Sequence, residues 1–238
     1  MEVKRQWRQM LSQAKPYLFN VACQVIEAYS ECCWNILICD DASARLPAAF
    51  LQELFNLSGL NLPLVHICAN AVGRLQTSRE VYQAYAKRLL QDVPEPRALL
   101  ISEAAGDCNG LHYLFGLFRP LVTEIDAAVV ASYYRPPAQF GNVYVGGYGK
   151  QFAVRAIYEA FESVRVPSSH SGGCEEVLPG AVLAGMRPAP LPGEPFIRIA
   201  RNPRARALSA YCLREMKELA AEYHRIEADE ARLIPLFG

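Results

Sequence analysis

Apolar residues recur at Trp7, Leu11, Ala14, Leu18, Val21, Val25 and Tyr29, a helical stripe that predicts a helix from Val3 to Tyr29. Within it Pro16 marks either a break or the first turn of a second helix. The period then changes. Asn35 to Cys39 (NILIC) is a short, unalternated apolar run ending at Asp40 and Asp41, the pattern of a strand buried on both faces. Helical spacing returns over Leu46 to Leu57, Leu62 to Cys68 reads as a strand, and Thr77 to Leu90 as a helix capped by Thr77 or Ser78. Leu99 to Ile101 is a strand, Gly110 to Phe118 a helix, and Ala127 to Ser132 a further strand.

Strands that alternate with helices require parallel βαβ crossovers, so the expected fold is α/β, a Rossmann-like parallel sheet flanked by helices. Such sheets bind ligands beyond the carboxyl ends of their strands, where the strand order reverses. Three segments therefore become candidates: Asp40 to Arg45, Ala69 to Arg79, and Ser102 to Gly110.

After Tyr133 the texture turns to proline, glycine and aromatics, as expected of a hood made of loops and a short hairpin around a helical stretch from Gln151 to Ser163. The chain closes with a helix from about Ala205 to Glu230, whose Leu208, Cys212, Met216, Leu219, Tyr223 and Ile226 share one face. The expected division is a parallel α/β core over 1–132, a hood over 133–200, and a C-terminal helix over 201–238 that packs on the core.

Composition narrows the classes. Acidic and basic residues balance at 24 each, so no global field advertises nucleic acid or an anionic membrane. The eight cysteines include no Cys-x-x-Cys pair and no zinc spacing with histidine, and Cys39 and Cys68 lie within apolar runs. They read as small buried hydrophobes in a reducing compartment. With neither a secretory core at the N-terminus nor an apolar run of bilayer length, the reading is cytoplasmic.

Two segments carry candidate chemistry. Ala98 to Leu111 (ALLISEAAGDCNGL) joins a buried strand to a helix start through a small-residue loop, with Glu103 at its mouth. The free N–H groups of such a helix start attract anions, although Asp107 places a negative charge there. Asp40 to Pro47 (DDASARLP) offers carboxylates, a hydroxyl and a guanidinium beyond one strand end, a set able to hold a metal-bound pyrophosphate. Its plainer reading is a helix start capped by Asp41 or Ser43, with Arg45 solvated. Other segments carry less. GGYGK (Gly146 to Lys150) fails as a Walker loop, because Tyr144 and Gln151 occupy its first glycine and hydroxyl positions. SSHSGGCE (Ser168 to Glu175) reads as a polar loop, the arginines from Arg198 to Arg214 as a solvated face, and His66 as a core histidine.

Together the two stronger segments resemble the type I phosphoribosyltransferases, and more closely a divergent branch of that family. Its loop for 5-phosphoribosyl-1-pyrophosphate (PRPP) is an apolar strand, two acidic residues and a Thr/Gly-rich turn opening a helix, the frame occupied here by Ala98 to Gly110. LICDDASARLPAAFLQELF is similar to the family's first strand, pyrophosphate loop and helix. The resemblance implies PRPP or nucleotide binding with Mg²⁺ and transfer of phosphoribosyl to a nitrogenous acceptor. It assigns catalytic positions to Glu103 and Arg45, phosphate binding to Gly106, Asp107, Cys108, Asn109, Gly110 and Ser43, metal binding to Glu103 and Asp41, and acceptor stacking to Tyr144 or Tyr148. Ser102 replaces the first acidic residue, and Gly106 and Asp107 stand where threonines donate in the family. The alternative is therefore a catalytically degenerate relative that senses a nucleotide or binds a protein. A homodimer is compatible with either reading, whereas membrane and nucleic-acid partners are disfavoured.

Overall fold

The computed structural model describes residues 2–40, 44–67, 79–105, 109–133, 135, 141–148, 164–167, 174–177 and 203–233. In chain order its elements are α1 (Glu2–Cys32), β1 (Ile36–Asp40), α2 (Arg45–Leu57), β2 (Leu64–Ile67), α3 (Arg79–Leu90), β3 (Arg97–Ala105) and α4 (Asn109–Phe118). A 3₁₀ turn (Arg119–Leu121) leads to β4 (Glu124–Ser132), β5 (Val143–Val145), the hairpin strands β6 (Val164–Pro167) and β7 (Cys174–Val177), and α5 (Pro203–Leu233).

Five strands form one sheet in the order β2-β1-β3-β4-β5, every adjacent pair parallel. The chain steps from β1 outward to β2, then returns across β1 to place β3 on its other side. This is the reversal of strand order that opens a crevice, here between the carboxyl ends of β1 and β3. The α/β architecture expected from the hydrophobic pattern is present.

Strict alternation along buried strands divides the core into two layers. Leu37 and Cys39 of β1, Leu99 and Ile101 of β3, and Ala128 and Val130 of β4 pack with α1, α2 and α5. Ile36, Ile38, Ala98, Leu100, Ala127 and Val129 pack with α3 and α4 on the opposite face. The central runs lack alternation in sequence because both faces are covered.

Helix α1 runs unbroken through Pro16. Pro16 and Ser12 are both exposed, so the carbonyl that loses its backbone donor faces water. The sheet also reaches beyond residue 132: β5 lies within the glycine- and aromatic-rich stretch and pairs Ala127 to Val129 with Val143 to Val145. The hairpin β6–β7 is antiparallel and lies beside β2 and α3. The expected helix over Gln151 to Ser163 and the caps Thr77 and Ser78 lie outside the described residues.

The glycines of GGYGK have a packing role. A side chain on Gly146 would run into the backbone carbonyls of Tyr17 and Val130, and one on Gly147 into the Tyr17 ring. Close approach stitches α1 to the sheet edge: Asn20 Nδ2 donates to the Gly146 carbonyl at 2.7 Å and Gln24 Nε2 to that of Val145 at 3.0 Å. The Ser132 N–H meets the Gly147 carbonyl at 3.0 Å, extending the pairing to Tyr148.

Candidate functional site

The crevice between β1 and β3 collects the chemistry-bearing residues the topology allows. Asp40 ends β1, and alternation from Ile36 and Ile38 turns it toward α3 and α4. A methyl group on Gly110 would lie 3.9 Å from Asp40 Oδ2, so this carboxylate stands against the first turn of α4. The register Cys39 to Ile101 sets Asp40 beside Ser102, which is buried on the same face. Carboxylate, hydroxyl and helix N-terminus meet at one strand end. A helix N-terminus favours negative charge, and here Asp40 already supplies some.

Glu103 faces the other way. Following Leu99 and Ile101, it points to the α1, α2 and α5 layer and is only 6% exposed. Around it lie Trp7, Met10, Leu11, Leu46, Pro47 and Met216, an apolar lining that leaves a void of about 30 Å³. That is room for one or two waters. Trp7 itself is 4% exposed, and its buried indole N–H has no hydrogen-bond partner among the described residues.

Arg45 opens α2 at the carboxyl end of β1 and is partly exposed. The N-cap of that helix is Ala44, whose methyl side chain makes no cap hydrogen bond. Helix α4 begins at Asn109, one residue before the expected start at Gly110. Ser43, Asp41, Gly106, Asp107 and Cys108 lie outside the described residues. The edge thus sets Asp40 beside Ser102 and the α4 start, with Arg45 at the opening of α2 and Glu103 one residue further on β3 but on the opposite face.

The two tyrosines separate. Tyr148 is 57% exposed at the sheet edge, beside the carboxyl end of β4. Tyr144 instead packs edge-on against Trp34, ring centroids 5.7 Å apart, with its hydroxyl 3.6 Å from Cys32 Sγ. Burial pushes its hydroxyl well above the ordinary tyrosine range, reinforced by Cys32, and burial likewise raises the Cys32 thiol. Both stay protonated at neutral pH, so this corner holds Tyr144 as a core residue rather than a stacking surface.

That corner, at the amino end of β4, also contains a cluster that sequence reading passed over. Ligand atoms of Cys32, Glu124 and Asp126 lie within 4.8 Å of one another. Both Asp126 oxygens already accept hydrogen bonds, from Trp34 Nε1 at 3.0 Å and from the Asn142 N–H at 3.1 Å. Arg97 donates to the Cys32 carbonyl at 3.2 Å and stands 3.9 Å from Glu124. A thiol beside a saturated carboxylate is a poor match for the hard, oxygen-seeking Mg²⁺. The cluster reads as structural. One signal in the sequence points to the overlooked Asp126, a carboxylate inside an otherwise apolar strand.

No protein-family profile and no curated protein sequence matches the chain. Among solved structures it is similar to an HGPRT-ase from Leishmania tarentolae in complex with GMP, at 13% identity over 59% of this chain and 79% of that one, TM-score 0.43. It is similar also to the hypoxanthine phosphoribosyltransferase of Trypanosoma cruzi, at 14% identity over 58% and 78% of the two chains, TM-score 0.43. A third is the hypoxanthine-guanine phosphoribosyltransferase of Schistosoma mansoni in complex with IMP, at 13% identity over 58% and 62%, TM-score 0.35. Among the described residues no helix is long and apolar enough to cross a membrane.

Proposed function

We propose that the chain binds a ribosyl phosphate ligand, PRPP or a nucleotide, in the crevice between β1 and β3. The observation that carries this reading is the meeting of Asp40, Ser102 and the α4 N-terminus at the switch in strand order, with Glu103 adjoining on β3 and Arg45 opening α2 after β1. The α4 backbone would take the 5-phosphate, Arg45 with Ser43 the pyrophosphate, Glu103 the ribose hydroxyls, and Tyr148 the face of a nitrogenous acceptor. In such a transfer the bond from ribose C1 to pyrophosphate breaks and one from C1 to nitrogen forms. Pyrophosphate leaves with the electron pair, and the acceptor's proton passes to solvent.

Mg²⁺ is tested by the donor set. Glu103 sits among apolar side chains and does not suit a cation that keeps several waters. Asp40 does: an oxygen donor beside a phosphate-binding helix start needs a cation between the two negative groups. Asp40, with Asp41 following it, would hold Mg²⁺, which when bound supplies charge neutralisation of the leaving pyrophosphate.

The enclosure of Glu103 favours a second reading, a binder that has lost turnover and senses a nucleotide or PRPP. Calorimetry with PRPP and Mg²⁺, paired with pyrophosphate release across a panel of nitrogenous bases, separates the two. Binding with release supports the transferase, and binding without release supports the sensor. Absence of heat from PRPP, GMP and IMP alike removes both. Arg45→Ala is expected to weaken binding about tenfold or more, the loss of one charge-assisted contact.

A further inference from the structure

Helix α1 has 31 residues and spans about 46 Å, whereas β3, with nine, spans about 30 Å. Its second half lies along the sheet, with Tyr17 against Gly146 and Gly147 and Cys32 beside Asp126. Its first half reaches the carboxyl edge and covers Glu103 with Trp7, Met10, Leu11 and Ala14. The 30 Å³ left beside Glu103 admits water but no ribose. For Glu103 to meet any ligand, this segment must move.

Three observations mark where and how. Pro16 interrupts the helical hydrogen bonding between the two halves. The second half is bound to the sheet by Asn20, Gln24 and a continuous buried stripe of Leu18, Val21, Ala22 and Val25. The first half buries Trp7, with Met10, Leu11 and Ala14 only partly buried, and its polar contacts to α5 are partly exposed: Arg8 Nε to Tyr211 Oη at 2.9 Å and to Glu215 at 3.9 Å, and Lys15 to Glu222 at 2.6 Å. Such contacts are weak. Closure also buries the Trp7 N–H without a partner among the described residues, a cost that opening relieves.

We infer that residues 2–15 form a lid, hinged at Pro16, that closes over Glu103 with Trp7 packed beside it. The inference rests on the reading that Glu103 meets the ligand. Closed and open states then share one equilibrium, and apparent affinity scales with the open fraction.

The test measures PRPP binding with Mg²⁺ by calorimetry, and amide exchange by mass spectrometry, in the full chain and in Arg8→Ala/Lys15→Ala. Loosening the lid is expected to tighten PRPP binding by about threefold or more and to speed exchange over residues 8–14 but not over 18–25. Unchanged or weaker binding by the variant, with PRPP bound by the parent, overturns the lid. If neither protein binds PRPP, the ligand reading falls and exchange alone decides. Residues 8–14 exchanging at least tenfold faster than 18–25 support the hinge, and equal protection overturns it.

Discussion

Trp34 Nε1 donates to Asp126 Oδ2 at 3.0 Å, joining the segment between α1 and β1 to the amino end of β4 inside a fully buried corner. The other Asp126 oxygen takes the Asn142 N–H, so one carboxylate fixes the entry to β1, the start of β4 and the approach to β5. Asp126→Ala leaves the buried Trp34 indole N–H and the part-buried Asn142 N–H unpaired and is expected to cost about 2–3 kcal/mol. Urea unfolding followed by tryptophan emission reads both the loss and a red shift of Trp34. Stability within about 0.5 kcal/mol of the parent would show that the corner does not depend on Asp126.

Why the sheet was legible and this corner was not follows from what each leaves in the sequence. NILIC, ALLI and AAVVAS are apolar without alternation because helices cover both faces, and no other element leaves that trace so plainly. β5 leaves little: Val143 to Val145 is three residues long within glycine-rich sequence, and its place is set by pairing with β4 and by the room that Gly146 and Gly147 make for Tyr17. Tyr144 looked available beside those glycines, yet strand alternation turns it onto Trp34. Glu103 was found by its place in the loop frame. That α1 would overshoot the sheet and cover it depends on tertiary contact, which helical periodicity does not encode.

The glycine pair gives a prediction that separates its two members. Gly147→Ala meets the Tyr17 ring, Gly146→Ala meets backbone carbonyls, and each is expected to destabilise by about 1–3 kcal/mol through overpacking. Tyr17→Ala in the same chain should recover part of the Gly147→Ala loss, since it removes the obstructing ring. It should recover none of the Gly146→Ala loss, because the obstructing carbonyls remain. A double-mutant cycle with equal coupling at both positions contradicts this assignment.

Burial pushes the Cys212 thiol up to about 11, above the 9.0 it has when free, with Glu215 adding to the rise. The folded state thus favours the neutral thiol. This contribution is whole below pH 9 and declines as pH rises through 11, by up to about 2–3 kcal/mol. Chemical denaturation between pH 8 and 11 should show falling stability, with a shallower fall in Cys212→Ala despite its lower starting point. Parallel slopes in the two proteins would place the alkaline sensitivity elsewhere.

Pro16→Ala returns a backbone donor to the middle of α1 at an exposed position, where no packing is disturbed. A helix interior prefers alanine to proline by about 3 kcal/mol, part of which is offset because proline also restricts the unfolded chain, so a gain of about 1–2 kcal/mol in thermal or urea stability is expected. Stability and ligand affinity should then move in opposite directions. Stiffening the joint lowers the open fraction of the lid, and PRPP binding weakens although no residue near the crevice has changed. A purely structural Pro16 predicts the stability gain with affinity unaltered, so the pair of measurements distinguishes a hinge from a tolerated irregularity in the helix.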